Sequence, residues 1–196
     1  MPSAANHQWT VCRAWTTIVL ALLLTGCKSR KQPAFEDKYG FRFVAPPGWV
    51  ERARDDAMPS RTSHRHQDLP LPPLAMPGQS EERLLVRYDR LTMGAHAWLR
   101  VTVADLPSST SLTAWVSAHR PGAAWEQVSE VESLEVSGLP AARIAFMGRW
   151  SNEEYICESI AVRPGQRIYV ITGSFPASDS PAREQVRKAV SGASWQ

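Results

Sequence analysis

The sequence predicts an α+β domain: an antiparallel sheet of about six to seven strands packed with two helices. Segments of alternating bulky and polar residues recur between positions 39 and 175. Most are separated by short turns rich in Gly, Pro or Asn, and short turns join antiparallel neighbours. Two other segments carry the 3.6-residue spacing and the capping residues of helices.

Residues 39–45 (Tyr-Gly-Phe-Arg-Phe-Val-Ala) alternate and read as a strand, stopped by Pro46-Pro47-Gly48, with Trp49 as a core anchor. Residues 52–82 are rich in Pro, Arg, Ser and His and read as a long surface loop. Leu84, Val86 and Tyr88 alternate with Leu85, Arg87 and Asp89 in a second strand. Leu99, Val101 and Val103 alternate with Arg100, Thr102 and Ala104 in a third, and Met93-Gly94-Ala95 connects the two as a hairpin. Ser109-Thr110-Ser111 supplies helix caps, and Leu112, Trp115, Val116 and His119 fall on one helical face that Pro121-Gly122 ends.

A strand is expected over 128–136, then a turn at Ser137-Gly138-Leu139-Pro140. Ala142, Ile144, Phe146 and Trp150 form one face of the next strand, with Arg143 and Arg149 on the other. The chain turns at Ser151-Asn152-Glu153-Glu154, and Ile156, Ile160 and Val162 mark a sixth strand. Pro164-Gly165 suits a type II turn. Residues 168–175 are nearly all apolar, as in a central strand. The last helix is read with Ser180 as cap, Pro181 at its first position and Gly192 at its end, and Trp195 packs back on the body.

With 196 residues, 43% hydrophobic and 21% charged, the chain has the composition of one globular domain. Its net charge of +3 falls by one if the segment before Cys27 is removed, because Arg13 is the lone charged side chain there. So small a charge, interspersed with acids, gives no nucleic-acid footprint.

Residues 1–26 read as a signal peptide. Arg13 precedes an apolar stretch too short to span a bilayer as a helix, and the stretch ends in Leu24-Thr25-Gly26-Cys27. That ending resembles the lipobox of bacterial lipoproteins, which implies cleavage before Cys27 and acylation of its thiol. The lipid then anchors the chain to a membrane. Lys28 after the cysteine, by resemblance to lipoproteins of Gram-negative cells, implies the periplasmic side of the outer membrane in such a host. Residues 27–37 read as lipidated cysteine and flexible tether, and 38–196 as a single domain. With Cys12 removed and Cys27 lipidated, Cys157 has no partner for an internal disulfide.

The order of motifs resembles the PsbP-like superfamily. Tyr39-Gly40-Phe41 leads to Pro46-Pro47-Gly48-Trp49, and Ser111-Leu112 opens a helix. Val136-Ser137-Gly138-Leu139-Pro140 makes a hairpin, and Gly165-Gln166-Arg167-Ile168-Tyr169 leads to Phe175-Pro176, a helix and Ser194-Trp195. That superfamily includes DcrB-type bacterial envelope lipoproteins and a yeast nuclear-import factor that binds Ran. The resemblance implies a sandwich of sheet and helices that binds proteins, with no shared catalytic residues.

His64, His66 and Asp68 lie at alternate positions of the long loop, where two imidazoles and a carboxylate are a weak candidate set for zinc. Arg65 among them and the lack of a fourth ligand favour a solvated loop. Trp98, opposite Leu99 and Val101, and Trp125, near Pro121-Gly122, are candidate contact residues. Cys157 has acidic neighbours that disfavour its thiolate, and His119 reads as a core or edge histidine. No nucleophile-elbow, zincin, Walker or dinucleotide motif occurs. The chain is therefore expected to be a lipid-anchored envelope protein with a non-enzymatic protein-binding domain, no cofactor, and an envelope protein as partner. A glycan- or metal-binding module and a hydrolase with a dispersed site are the alternatives.

Overall fold

A computed structural model describes residues 32, 34–52, 82–92, 95–107, 109–150 and 152–196, all within the unit Gln32–Gln196. The signal segment, Cys27, residues 53–81 with His64, His66 and Asp68, and Met93-Gly94 lie outside the described residues. The strands are β1 (Ala34–Glu36), β2 (Phe41–Val44), β3 (Val50–Arg52), β4 (Arg83–Thr92), β5 (Ala95–Asp105), β6 (Glu126–Gln127), β7 (Glu132–Val136), β8 (Leu139–Trp150), β9 (Glu153–Val162), β10 (Arg167–Pro176) and β11 (Ser194–Trp195). The helices are α1 (Leu112–Ala118), after β5, and α2 (Ser180–Ser191), before β11.

Eight strands form one sheet in the order β3-β4-β5-β10-β9-β8-β6, with β7 also paired to β8. Three more form a sheet in the order β1-β2-β11. Every pairing is antiparallel. The α+β architecture matches the sequence reading, but the eleven strands among the described residues exceed the six or seven expected. Of the expected strand over 128–136, β7 takes up Glu132–Val136, and β1, β3, β6 and β11 were unread. Elements of two or three residues are too short for alternation to show. β1 also moves Ala34–Glu36 from the tether into the domain, and β3 takes Arg52 out of the loop.

Both faces of the large sheet are covered. On one face β2, β4, β5, β9 and β10 pack with α2, burying Phe41, Phe43, Tyr88, Tyr169 and Val186. Each such aromatic removed from water contributes roughly 1.5–3 kcal/mol. On the other face α1 sets Trp115 and Val116 against Ile144, Phe146, Ile168 and Val170. Burial on two sides explains why β10, bonded to both β5 and β9, reads as a continuous apolar run.

Local signals explain most boundaries. Ser111 Oγ accepts from the Ala114 amide and caps α1. The cap of α2 is Asp179, one residue before the expected Ser180: its carboxylate accepts from the Ala182 amide at 3.1 Å. A carboxylate there also receives Arg90 at 2.7 Å, which a serine hydroxyl could not match as an ion pair. The alternation expected in β4 is offset by a bulge between Leu84 and Val86. The bulge puts Leu85, Val86 and Tyr88 all in the first core.

The turn between β1 and β2 has a lock of its own. Asp37 Oδ1 accepts from the amides of Tyr39 (2.8 Å) and Phe41 (3.0 Å), and its Oδ2 accepts from the Tyr169 hydroxyl of β10 at 2.8 Å. Gly40, at φ +79°, accepts from the Gln196 amide at 3.1 Å. A Cβ at Gly40 would stand 2.5 Å from the Gln196 carbonyl oxygen, so only glycine fits.

Candidate functional site

The candidate tryptophans are part of the packing. Trp98 is 3% exposed, which corrects its expected place at the surface. The face opposite Leu99 is a second interior, where Trp98 lies 5.4 Å from the Arg100 guanidinium. Burial holds that guanidinium below its ordinary pKa. Trp125 is half-buried rather than a free rim residue: its ring stands 2.7 Å from where a Cβ on Gly148 would be.

Cys157 is fully buried, and burial pushes its thiol up to about 12, so it carries no thiolate at neutral pH. His119 closes α1, and its Nδ1 lies 2.9 Å from the Trp115 carbonyl. Its Nε2 meets Glu82, which also accepts from the Thr102 hydroxyl at 3.0 Å. Burial alone would raise the Glu82 carboxyl, but His119, Thr102 and Arg100 outweigh it and hold the group below its usual range. Both ring nitrogens of His119 thus face acceptors from its own fold, and the pair ties the start of β4 to α1.

Two buried carboxylates are likewise enclosed by cations. Asp89 of β4 receives Arg52 at 2.7 Å and Arg87 at 3.0 Å, with His96 at 3.7 Å. Glu158 of β9 receives Arg183 at 2.8 Å and Arg187 at 2.8 Å from α2. Burial penalises both charges, and in both the hydrogen-bonding cations win and lower the carboxyl's pKa.

Among the described residues, two clefts adjoin at one end of the large sheet, where β5 ends and β10 begins. One, of about 480 Å³, is lined by Asp105, Leu106, Pro107, Gln166 and Arg167. The other, of about 340 Å³, is lined by Tyr39, Glu82, Arg83, Val103, Asp105 and Arg167. Arg167 links them. Its guanidinium lies 3.6 Å from the centre of the Tyr39 ring, and its Nε donates to Asp105 at 3.1 Å. Lys38 Nζ lies 4.8 Å from the same ring. A hydrogen bond from Lys38, reinforced by the charges of Lys38 and Arg167, holds the Tyr39 phenol below its ordinary pKa. Such a surface can orient an anionic group against an aromatic ring.

No family model matches the chain, and no curated protein does. Solved structures similar to it include a protein of Mycobacterium tuberculosis, LpqN, described as involved in cell envelope biogenesis. It aligns at a TM-score of 0.45 and 8% identity, over 83% of this chain and 88% of that one. The Ran-binding protein Mog1p of Saccharomyces cerevisiae aligns at 0.43 and 11%, over 81% and 92%. A protein of unknown function and putative regulator from Pseudomonas aeruginosa aligns at 0.42 and 10%, over 56% and 78%. At these scores the account of the fold rests on the strand pairing of this chain itself.

The cleft was missed by reading the sequence. Tyr39 is read there as the first residue of a strand, and Arg167 as part of the lead into the last one. The available signal was Asp37-Lys38-Tyr39-Gly40, an Asx-type turn with an aromatic at its tip. Glu82 and His119 are 37 positions apart, and no spacing rule links them.

Proposed function

We propose that the chain is a lipid-anchored protein of the bacterial cell envelope, whose α+β domain is a non-enzymatic, protein-binding accessory module. The observation that carries the anchoring is Leu24-Thr25-Gly26-Cys27 at the end of an apolar run. Two or more acyl chains on Cys27 would make membrane attachment stable, since each buried CH₂ contributes about 0.8 kcal/mol. Anchoring raises the local concentration of partners in the same membrane, so a modest surface suffices for binding.

What supports the accessory reading is how the domain uses its ionisable groups. Glu82 is held by His119 and Thr102, Asp89 and Glu158 are held by arginines of the same fold, and Cys157 holds its proton. The order of motifs that resembles the PsbP-like superfamily points the same way. The test is mild crosslinking in intact cells, purification of the natively lipidated protein, and mass spectrometry against a Cys27→Ser control. Palmitate incorporation is expected in the native protein and absent from Cys27→Ser. One recurrent envelope protein is expected with the native protein and lost in the control; its absence from both would sink the accessory reading.

A further inference from the structure

We propose that the cleft bounded by Tyr39, Arg83 and Arg167 docks an acidic segment of a partner protein, an extended stretch carrying several carboxylates. This rests on the accessory reading and names the surface that would serve it.

The charge balance of the cleft points to an anionic occupant. Lys38, Arg83 and Arg167 stand around it. Against them are two carboxylates, and Glu82 is turned inward to His119 and Thr102. Asp105 is left as the outward acid among the described lining residues. It is 83% exposed and meets Arg167 through a single nitrogen. So exposed a pair is worth little and exchanges readily. Lys38 and Arg83 enter no ion pair among the described residues. A chain bearing carboxylates can therefore reach Arg83 and the remaining donors of Arg167 without breaking a buried contact.

The surface is also ordered in advance. Asp37 fixes the turn that carries Tyr39, Gln196 pins Gly40, and the Tyr39 ring lies against the guanidinium of Arg167. Holding a long cationic side chain in one direction before contact removes part of the entropy cost of binding. The two clefts are polar and lie side by side, unlike the enclosed apolar pockets that take small ligands. Their shape suits a short length of extended chain. The aromatic ring supplies an anchor of the kind that dominates protein contacts.

The test is fluorescence anisotropy with a fluorescein-labelled peptide of about ten glutamates, titrated with the full-length protein extracted from membranes in non-ionic detergent. Saturable binding is expected at low salt, and added salt should weaken it. Arg83→Glu combined with Arg167→Glu should weaken it about tenfold or more. Tyr39→Ala should weaken it several-fold and Tyr39→Phe should not. Arg149→Glu, on an exposed arginine at the opposite end of the sheet, should leave it unchanged. Circular dichroism of each variant establishes that it is folded.

Three results would overturn the site: no binding at about 1 mM protein, equal losses in the cleft variants and Arg149→Glu, or displacement of the bound peptide by a lower concentration of glycerol phosphate, the soluble headgroup of an anionic lipid. The crosslinking experiment separates this proposal from the one it rests on. A partner recovered undiminished with the double variant removes the site and keeps the accessory reading. Peptide binding at the cleft with no partner in cells keeps the site and removes that reading.

Discussion

Glu158 and Asp105 are both carboxylates held by arginine, at two places in one sheet. Glu158 is 1% exposed, and Arg183 and Arg187 reach it from α2 as charged struts between helix and strand. Asp105 is 83% exposed and shares Arg167 with Tyr39 and with solvent. The chemical pair is the same; burial decides what it does. Inside, the carboxylate has lost its water and depends on the arginines, so breaking the pair is costly. Outside, water competes for both partners, the pair adds little stability, and the arginine stays available.

Three variants would break or sharpen that contrast. The largest effect is expected from Glu158→Ala, which leaves Arg183 and Arg187 without the carboxylate they share. Those arginines are about a third exposed and can regain some water, so the loss should be about 3 kcal/mol, measured by urea unfolding. A change below about 1 kcal/mol would show that Glu158 is no strut.

Acid should reveal the same group. The folded pKa of Glu158 lies below its ordinary value of 4.5, so its contribution is fully present above about pH 4.5. It is lost as pH falls through the lowered folded value. Unfolding midpoints of the native protein and Glu158→Gln should therefore converge as pH drops below about 4.5 and stay separated above it. Parallel curves throughout would contradict the assignment. Asp89 loses stability in the same direction and is common to both proteins, so it cancels in the difference.

The smallest effect is expected at the exposed pair. Asp105→Asn should shift stability by less than about 0.5 kcal/mol. The same change frees Arg167 and should tighten acidic-peptide binding by a few-fold. A destabilisation as large as that of Glu158→Ala would erase the distinction between the two sites.

The legible parts of the fold were those with a local signal. The long strands β4, β5, β8, β9 and β10 alternate or run apolar over ten or more residues, and both helices carry caps within three residues of their start. The parts that were not legible depend on distant partners. β1 pairs with β2 and β11 with β2, and a two-residue strand has no pattern apart from the neighbour that bonds it. Trp98 looked like a surface residue because alternation sorts residues into two faces but cannot say that both are covered. The cleft gathers Tyr39, Arg83, Asp105 and Arg167 from four places in the chain.

The sequence by itself determined the α+β class, most turn positions, the run of long antiparallel strands, and the lipobox-like ending of the apolar run before Cys27, because each is written in contiguous residues or short periodic spacing. Only the tertiary structure decided which face of β5 is interior, which carboxylates are occupied, and where a charged cleft stays open. Those depend on burial, and the burial of a side chain is set by residues far away in sequence that come to lie against it.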